Sequence, residues 1–169
     1  CLKAKKNFKK ITKISKVNWK VLDSFLGKYD WVWACPTETS RGLKIPINEL
    51  KKFSRKSNAK LALDATASIG LEPLHELADV ISYSSCKGLF GLTGGCFVAY
   101  NINPINSIDS FNLDINSHLE KKMTGPYHSI QSLEKVLDKH NNFVYSVAEN
   151  KRRFLKIFKD KLTYSNKNQ

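Results

Sequence analysis

The chain has 169 residues, enough for one domain or for one domain with part of another. Its hydrophobic fraction of 41% and aromatic fraction of 11% supply a core and exclude wholesale disorder, and its short apolar runs exclude a membrane span. Lys and Arg number 28 against 15 Asp and Glu, a net charge of +13 that by itself points to nucleic acid or an anionic surface.

That charge is concentrated at the ends. Residues 1–20 hold eight lysines and no acid, and residues 151–169 hold seven basic groups with Asp160 as the single acid. The stretch between them has 13 basic and 14 acidic groups and is close to neutral. Blocks of like charge at chain ends read first as solvated faces and only then as nucleic-acid arms. The chain opens on Cys1 and its one methionine is Met123, so it reads as a piece of a longer protein; no secretory leader pattern stands at its start. Cys1, Cys35, Cys86 and Cys96 have neither disulfide-framework nor zinc spacing. Cys35 and Cys96 sit in apolar runs and read as buried thiols in a reducing compartment.

In chain order, residues 18–27 predict a helix capped by Asn18 and Gly27, with Trp19, Leu22, Phe25 and Leu26 on one face. Residues 30–35 predict a short strand in which Trp31 and Trp33 read as core. A helix follows from Pro46 to about Ser57, with Ile47, Leu50 and Phe53 inward. Residues 60–64 form a second strand ending on Asp64, and this strand–helix–strand order implies a parallel pair. Further strands are expected at 79–83 and 95–100, separated by a glycine-rich segment. Residues 101–117 show no period and read as a crossing segment. Helices are expected from Pro126, with Ile130, Leu133, Val136 and Leu137 on one stripe, and from Phe143 to about Leu162. The fold class is α/β. His75, His118, His128 and His140 have no metal spacing and read as surface or turn residues.

Ligands of a doubly wound sheet sit beyond the carboxyl ends of its strands. Three polar groups fall there, namely Glu38-Thr39-Ser40 after the first strand, Asp64 closing the second, and Lys87 just after the third. A lysine amine can form a Schiff base with an aldehyde, and a nearby acid can keep a pyridine nitrogen protonated. On spacing alone, an aspartate capping a turn and a solvated lysine explain the same positions.

The segments themselves go further. Ala34-Cys-Pro-Thr-Glu-Thr-Ser-Arg-Gly-Leu-Lys-Ile-Pro46 resembles the E-T-S/T-x-G-x-x-x-P segment of class V aminotransferases, which are fold-type I pyridoxal-phosphate enzymes. Leu63-Asp-Ala-Thr-Ala-Ser-Ile-Gly-Leu-Glu-Pro73 is similar to that family's D-A-x-S-S-x-G-x-x-P segment. Ser82-Tyr-Ser-Ser-Cys-Lys-Gly-Leu-Phe-Gly-Leu-Thr-Gly94 is similar to its lysine loop. The three occur in the family's order, between about Asp30 and Tyr100. Phe111-Asn-Leu-Asp-Ile-Asn, followed by Met123-Thr-Gly-Pro-Tyr-His-Ser129, resembles the 2-aminoethylphosphonate:pyruvate transaminase branch. Alanine–glyoxylate and serine–glyoxylate aminotransferases share the earlier motifs. Cysteine desulfurases, which place a histidine where this chain has Cys86, match less well.

The resemblance implies an incomplete portion of the fold-type I large domain, a mostly parallel sheet flanked by helices, with pyridoxal 5'-phosphate as cofactor. Residues 1–140 would be the partial cofactor-binding domain, and 141–169 a helix leading toward a small C-terminal domain. Lys87 would be the catalytic, cofactor-linked lysine, and later the base that moves a proton from substrate Cα to cofactor C4′. Asp64 would pair with the pyridinium nitrogen and Thr39 would donate to the ring's phenolic oxygen. Ser84 and Cys86 flank the lysine, Cys86 replacing a polar residue. Thr124 matches a residue that reaches the phosphate of a partner subunit's cofactor in a homodimer. Arg41 stands where the family has Ser or Thr.

The implied substrates are an amino donor and a 2-oxo acid such as pyruvate, in the cytoplasm, with neither nucleic acid nor membrane as partner. No stretch before Trp31 resembles the family's phosphate loop or ring-stacking aromatic, and Arg152 and Arg153 lie too early for its carboxylate-gripping arginine. A catalytically incomplete remnant, or a basic interaction module, are the alternative readings.

Overall fold

A computed structural model describes residues 14–22, 27–103, 110, 112–122 and 124–163 of the chain. Most of the lysine-rich start, and residues 23–26 of the first expected helix, lie outside the described residues; Trp19–Val21 form a 3-10 turn, with Asn18 Oδ1 accepting from Lys20 N at 3.1 Å. Four strands make the main sheet, β1 (Trp31–Ala34), β4 (Lys60–Asp64), β5 (Val80–Ser84) and β6 (Cys96–Tyr100), in the order β1-β4-β5-β6. The first two pairings are parallel and β5–β6 is antiparallel, so the sheet is mainly parallel. Between β1 and the first long helix lies a small antiparallel hairpin that the sequence did not announce, β2 (Thr37–Glu38) with β3 (Leu43–Lys44).

Helix α1 (Ile47–Lys56) links β1 to β4. Its first N–H groups find the Pro46 carbonyl, which accepts from Glu49 N at 3.0 Å and Leu50 N at 3.2 Å. Glu49 in the first turn and Arg55 and Lys56 in the last complement the helix dipole. Apolar spacing at Ile47, Leu50 and Phe53 turns one stripe inward, where Ile47 and Leu50 meet Leu61, Leu63 and Ala78. Leu61 and Leu63 are 0% and 1% exposed, and they alternate in β4 with Lys60, Ala62 and Asp64, which point to the other face. That alternation puts Asp64 opposite the packed core. Each fully buried leucine is worth about 1.5–3 kcal/mol of transfer energy, so the position of Asp64 is held by its neighbours' burial.

The other face of the sheet explains one correction. Trp31 and Trp33 are 46% and 57% exposed, not core. β1 is the edge strand, and Val32 and Ala34 are the residues that pack against the core. Two tryptophans in alternation signalled a half-buried strand correctly, but the aromatic pair occupies the uncovered side. Cys96, at the start of β6 in register with Ser84 of β5, is also exposed, and Cys35 is half-buried, so neither thiol is enclosed as expected.

Three further helices complete the described chain, α2 (Ile115–Lys121), α3 (Tyr127–Leu137) and α4 (His140–Phe158). α2 falls partly in the stretch read as irregular. Its nucleus is the Asp114 carboxylate, which accepts from Ser117 N at 3.2 Å and from Ser117 Oγ at 2.7 Å. No helix among the described residues is long and apolar enough to cross a membrane.

Candidate active site

The carboxyl ends of β1, β4 and β5 gather the polar groups expected from sequence. Asp64 closes β4 half-buried, and its Oδ1 accepts from Thr66 N at 3.1 Å, which shapes the following turn. Glu38 closes β2. Its Oε1 accepts from Ser40 N at 2.9 Å, and Arg41 N reaches the Glu38 carbonyl at 3.4 Å. Thr39 stands exposed at the tip of that hairpin. Ser40 hydrogen bonds hold the Glu38 carboxyl below its ordinary pKa, with the Arg41 and Lys87 cations adding to the effect.

Lys87 opens a 3-10 turn (Lys87–Leu89) three residues after Ser84 ends β5, with its own φ at +47°. A left-handed conformation in a lysine costs on the order of 1–3 kcal/mol and persists only where neighbours over-determine it. They do so here. Gly88 N donates to Thr66 O at 3.3 Å, Phe90 N to Lys87 O at 3.1 Å, and Gly91 N to Ser85 O at 2.9 Å. A Cβ on Gly88 would stand 2.3 Å from the Ile69 carbonyl oxygen, so only glycine lets the lysine turn press this closely on the turn after Asp64. Lys87 is exposed, and its amine has no hydrogen bond or ion pair with a described residue.

Cys35 reports how closely these segments converge. Burial pushes its thiol pKa up first, then the Asp64 and Glu38 carboxylates push the same way, while its hydrogen bond to the Thr37 carbonyl (3.3 Å) and the Lys87 ammonium oppose them. One half-buried sulfur therefore lies in the fields of Asp64, Glu38 and Lys87 together. The sequence offered no signal for it beyond position, since cysteine there read only as packing.

Ser84 lies on β5 with Oγ 3.2 Å from Cys86 Sγ, so its hydroxyl is already engaged with the residue before the lysine. The buried serine of the pair is Ser85. Its hydroxyl donates to Leu92 O and accepts from Gly95 N at 3.1 Å, closing the glycine-rich loop. Thr124 is exposed ahead of α3 and no described contact joins it to Lys87 or Asp64. Instead α3 holds the glycine-rich loop, with Ser129 Oγ donating to Thr93 O at 3.0 Å and Leu92 N donating to Ser132 Oγ at 2.9 Å.

Two histidines read from sequence as surface or turn residues are structural. His75 is buried with Nε2 2.9 Å from Ser68 Oγ, and burial lowers its pKa. His140 is half-buried and donates from Nε2 to the Gly88 carbonyl at 3.1 Å. His118 and His128 are exposed as expected. No set of three or more His, Cys, Asp or Glu residues suited to a metal occurs among the described residues. Two cavities lie beside this cluster: one of about 250 Å³ is lined by Thr37, Pro46 and Pro73, and one of about 360 Å³ runs along the edge of β1 and is lined in part by Cys35 and Glu38; Lys87 lines neither.

This arrangement is part of the large domain of the fold-type I, pyridoxal-phosphate-dependent transferase fold. Within that class, the chain is similar to an alanine–glyoxylate aminotransferase from Nostoc sp., with 17% identity, a TM-score of 0.67, and coverage of 89% of this chain and 46% of that one. It is similar to a phosphoserine aminotransferase from Cytophaga hutchinsonii, with 18% identity, a TM-score of 0.60, and coverage of 83% and 46%. It is similar also to a pyridoxamine–pyruvate aminotransferase from Mesorhizobium loti, with 22% identity, a TM-score of 0.58, and coverage of 72% and 36%. The chain spans less than half the length of each of these proteins. No family model matches it, and no curated protein matches it in sequence.

Proposed function

We propose that this chain carries the cofactor-linking half of a pyridoxal-phosphate-dependent aminotransferase. The observation that carries the reading is the convergence of Lys87, Asp64 and the Glu38–Thr39 hairpin at adjacent strand ends, with the Lys87 amine unengaged by any described residue. A fold of this kind hosts many reactions, so the argument rests on these side chains.

The donor set fits the cofactor. An amine suits an aldehyde, a carboxylate whose second oxygen is uncommitted suits a protonated pyridine nitrogen, and a threonine hydroxyl at the hairpin tip suits a phenolic oxygen. Bound pyridoxal phosphate supplies an electron sink for negative charge at a substrate α-carbon. Asp64 would hold the proton on the ring nitrogen, and Thr39 would donate to the ring oxygen. The Lys87 amine would be the base that moves the proton from substrate Cα to C4′. Ser84 and Cys86, whose Oγ and Sγ lie 3.2 Å apart just before the lysine, would add to the cofactor-binding set.

The substrates of this reading are an amino donor and a 2-oxo acid. The Phe111–Asn116 and Met123–Ser129 segments favour 2-aminoethylphosphonate with pyruvate, within class V. Thr124, exposed and away from its own chain's lysine contacts, supports the role of reaching a second subunit's cofactor phosphate in a homodimer. A cytoplasmic enzyme divided at about residue 140, with neither nucleic acid nor membrane as partner, completes the proposal. The exposure of Lys87 favours one second reading, in which the described residues bind cofactor without turning over substrate unless other parts enclose the site.

Borohydride trapping tests the assignment. Pyridoxal phosphate at equimolar ratio, reduced in place and mapped by mass spectrometry, is expected to label Lys87 ahead of every other lysine. Asp64→Asn keeps the hydrogen bond to Thr66 and is expected to weaken cofactor retention by about tenfold or more through the lost charge-assisted pair. Labelling spread evenly over surface lysines would refute the role of Lys87.

A further inference from the structure

His140 is the first residue of α4 and lies 52 positions from the carbonyl it binds. Its ring touches both turns that carry the candidate site. On one side, Nε2 donates to Gly88 O at 3.1 Å, immediately after Lys87. On the other, a Cβ added to Gly70, in the turn after Asp64, would stand 2.8 Å from both Cε1 and Nε2 of the same imidazole. Gly70 has φ +74° and gives the ring room by lacking a side chain. The ring is steadied by Phe90, whose centroid lies 5.9 Å away at 55°, and Phe90 in turn stacks on Phe143 of α4 at 5.0 Å.

The Lys87 turn is held from outside its own segment at several points. Gly88 N to Thr66 O joins it to the Asp64 turn, and Leu133 of α3 packs near Gly91. A strained, exposed residue persists only through such contacts, and the His140 bond is a side-chain bond to the residue directly after it. Removing the His140 donor leaves the buried Gly88 carbonyl without this partner and frees the turn to relax.

We propose that His140 is a positioning residue for Lys87, clamping the lysine turn against the Asp64 turn through the Gly88 carbonyl. The inference rests on the reading of Lys87 as the cofactor-linking lysine, but the clamp itself can be measured without cofactor. His140 acts through the backbone of the next residue and touches no reacting atom.

The experiment compares wild type with His140→Phe, which keeps a ring but loses the donor, and His140→Gln, whose amide nitrogen can take the place of Nε2. Hydrogen exchange of the Gly88–Gly91 amides is read first, then borohydride trapping of pyridoxal phosphate at Lys87 against the other lysines. His140→Phe is expected to speed exchange in the turn and reduce Lys87 trapping, each by about tenfold, and His140→Gln to restore both. Unchanged exchange in His140→Phe, or a glutamine variant that behaves like phenylalanine, would overturn the clamp. If exchange responds as expected while wild-type Lys87 is not trapped, the clamp stands and the cofactor reading falls. Should His140→Phe lose its native circular dichroism, Gly70→Ala replaces it, since the new methyl pushes the intact imidazole off Gly88.

Discussion

The backbone N–H of Gly88 donates to the carbonyl of Thr66 at 3.3 Å, so the turn that follows Asp64 and the turn that starts with Lys87 are one packed unit. The two candidate cofactor-facing residues are therefore set relative to each other by main chain, while Asp64 keeps one carboxylate oxygen on Thr66 N. The contact exists because position 88 has no side chain.

Gly88→Ala is the direct consequence. Its Cβ would meet the Ile69 carbonyl oxygen at 2.3 Å, a backbone atom that cannot swing aside. The turns must separate, at a cost on the order of 1–3 kcal/mol as for other overpacked sites. Urea unfolding should show that loss, and Lys87 should be trapped by pyridoxal phosphate less efficiently in the fraction that remains folded. An unchanged unfolding midpoint would mean that the two turns are not in contact.

The Cys35 thiol offers a reading of the site's field. Its pKa is raised by burial first and then by Asp64 and Glu38, with Lys87 acting in the opposite sense. Alkylation at Cys35 should therefore need a higher pH than at a free cysteine in a short peptide. Asp64→Asn should lower the pH at which Cys35 reacts, and Lys87→Ala should raise it. Peptide-resolved alkylation across a pH series decides this, and shifts of opposite sign would disprove the proximity of the three groups.

How much of this was legible in the sequence depends on the range of the interaction. The strands at 31–34, 60–64, 80–84 and 96–100 and helix α1 follow from local periodicity and turn residues, and they appeared within a residue or two of expectation. Asp64 and Lys87 were legible because a parallel sheet brings strand ends together by rule. The faces of β1 were not, since a strand alternates identically whichever side is covered, and Trp31 and Trp33 fell on the open one. The β2–β3 hairpin has strands of two residues each, too short for a period to register. His140 had no local signature at all, because its partner is 52 residues away and is a carbonyl, which any residue type provides.

His75 makes stability depend on pH. Burial lowers its pKa in the folded chain below the ordinary 6.5, and Ser68 Oγ stands 2.9 Å from its Nε2. The unfolded chain therefore takes up a proton at a pH where the folded chain still excludes it. The stabilisation is complete above about pH 6.5 and is lost as pH falls through the window between that value and the lower folded one. The urea midpoint should drop across this window in wild type and stay flatter in His75→Gln. A midpoint equally pH-dependent in both would show that His75 is not the group responsible.

Lys87 itself sets function against stability. Its φ of +47° is unfavourable for any residue with a Cβ, and glycine adopts it freely. Lys87→Ala keeps the strain and removes the amine, whereas Lys87→Gly removes both. The glycine variant should be more stable than the alanine variant by about 1 kcal/mol, even after glycine's extra entropy in the unfolded chain is subtracted from the relief of strain. Both variants should fail to form a borohydride-reducible link with pyridoxal phosphate at position 87. Paired urea curves measure the difference, and an alanine variant as stable as the glycine one would mean that the lysine turn relaxes without cost. In that case the left-handed conformation would not be held by the Thr66, Ser85 and His140 contacts.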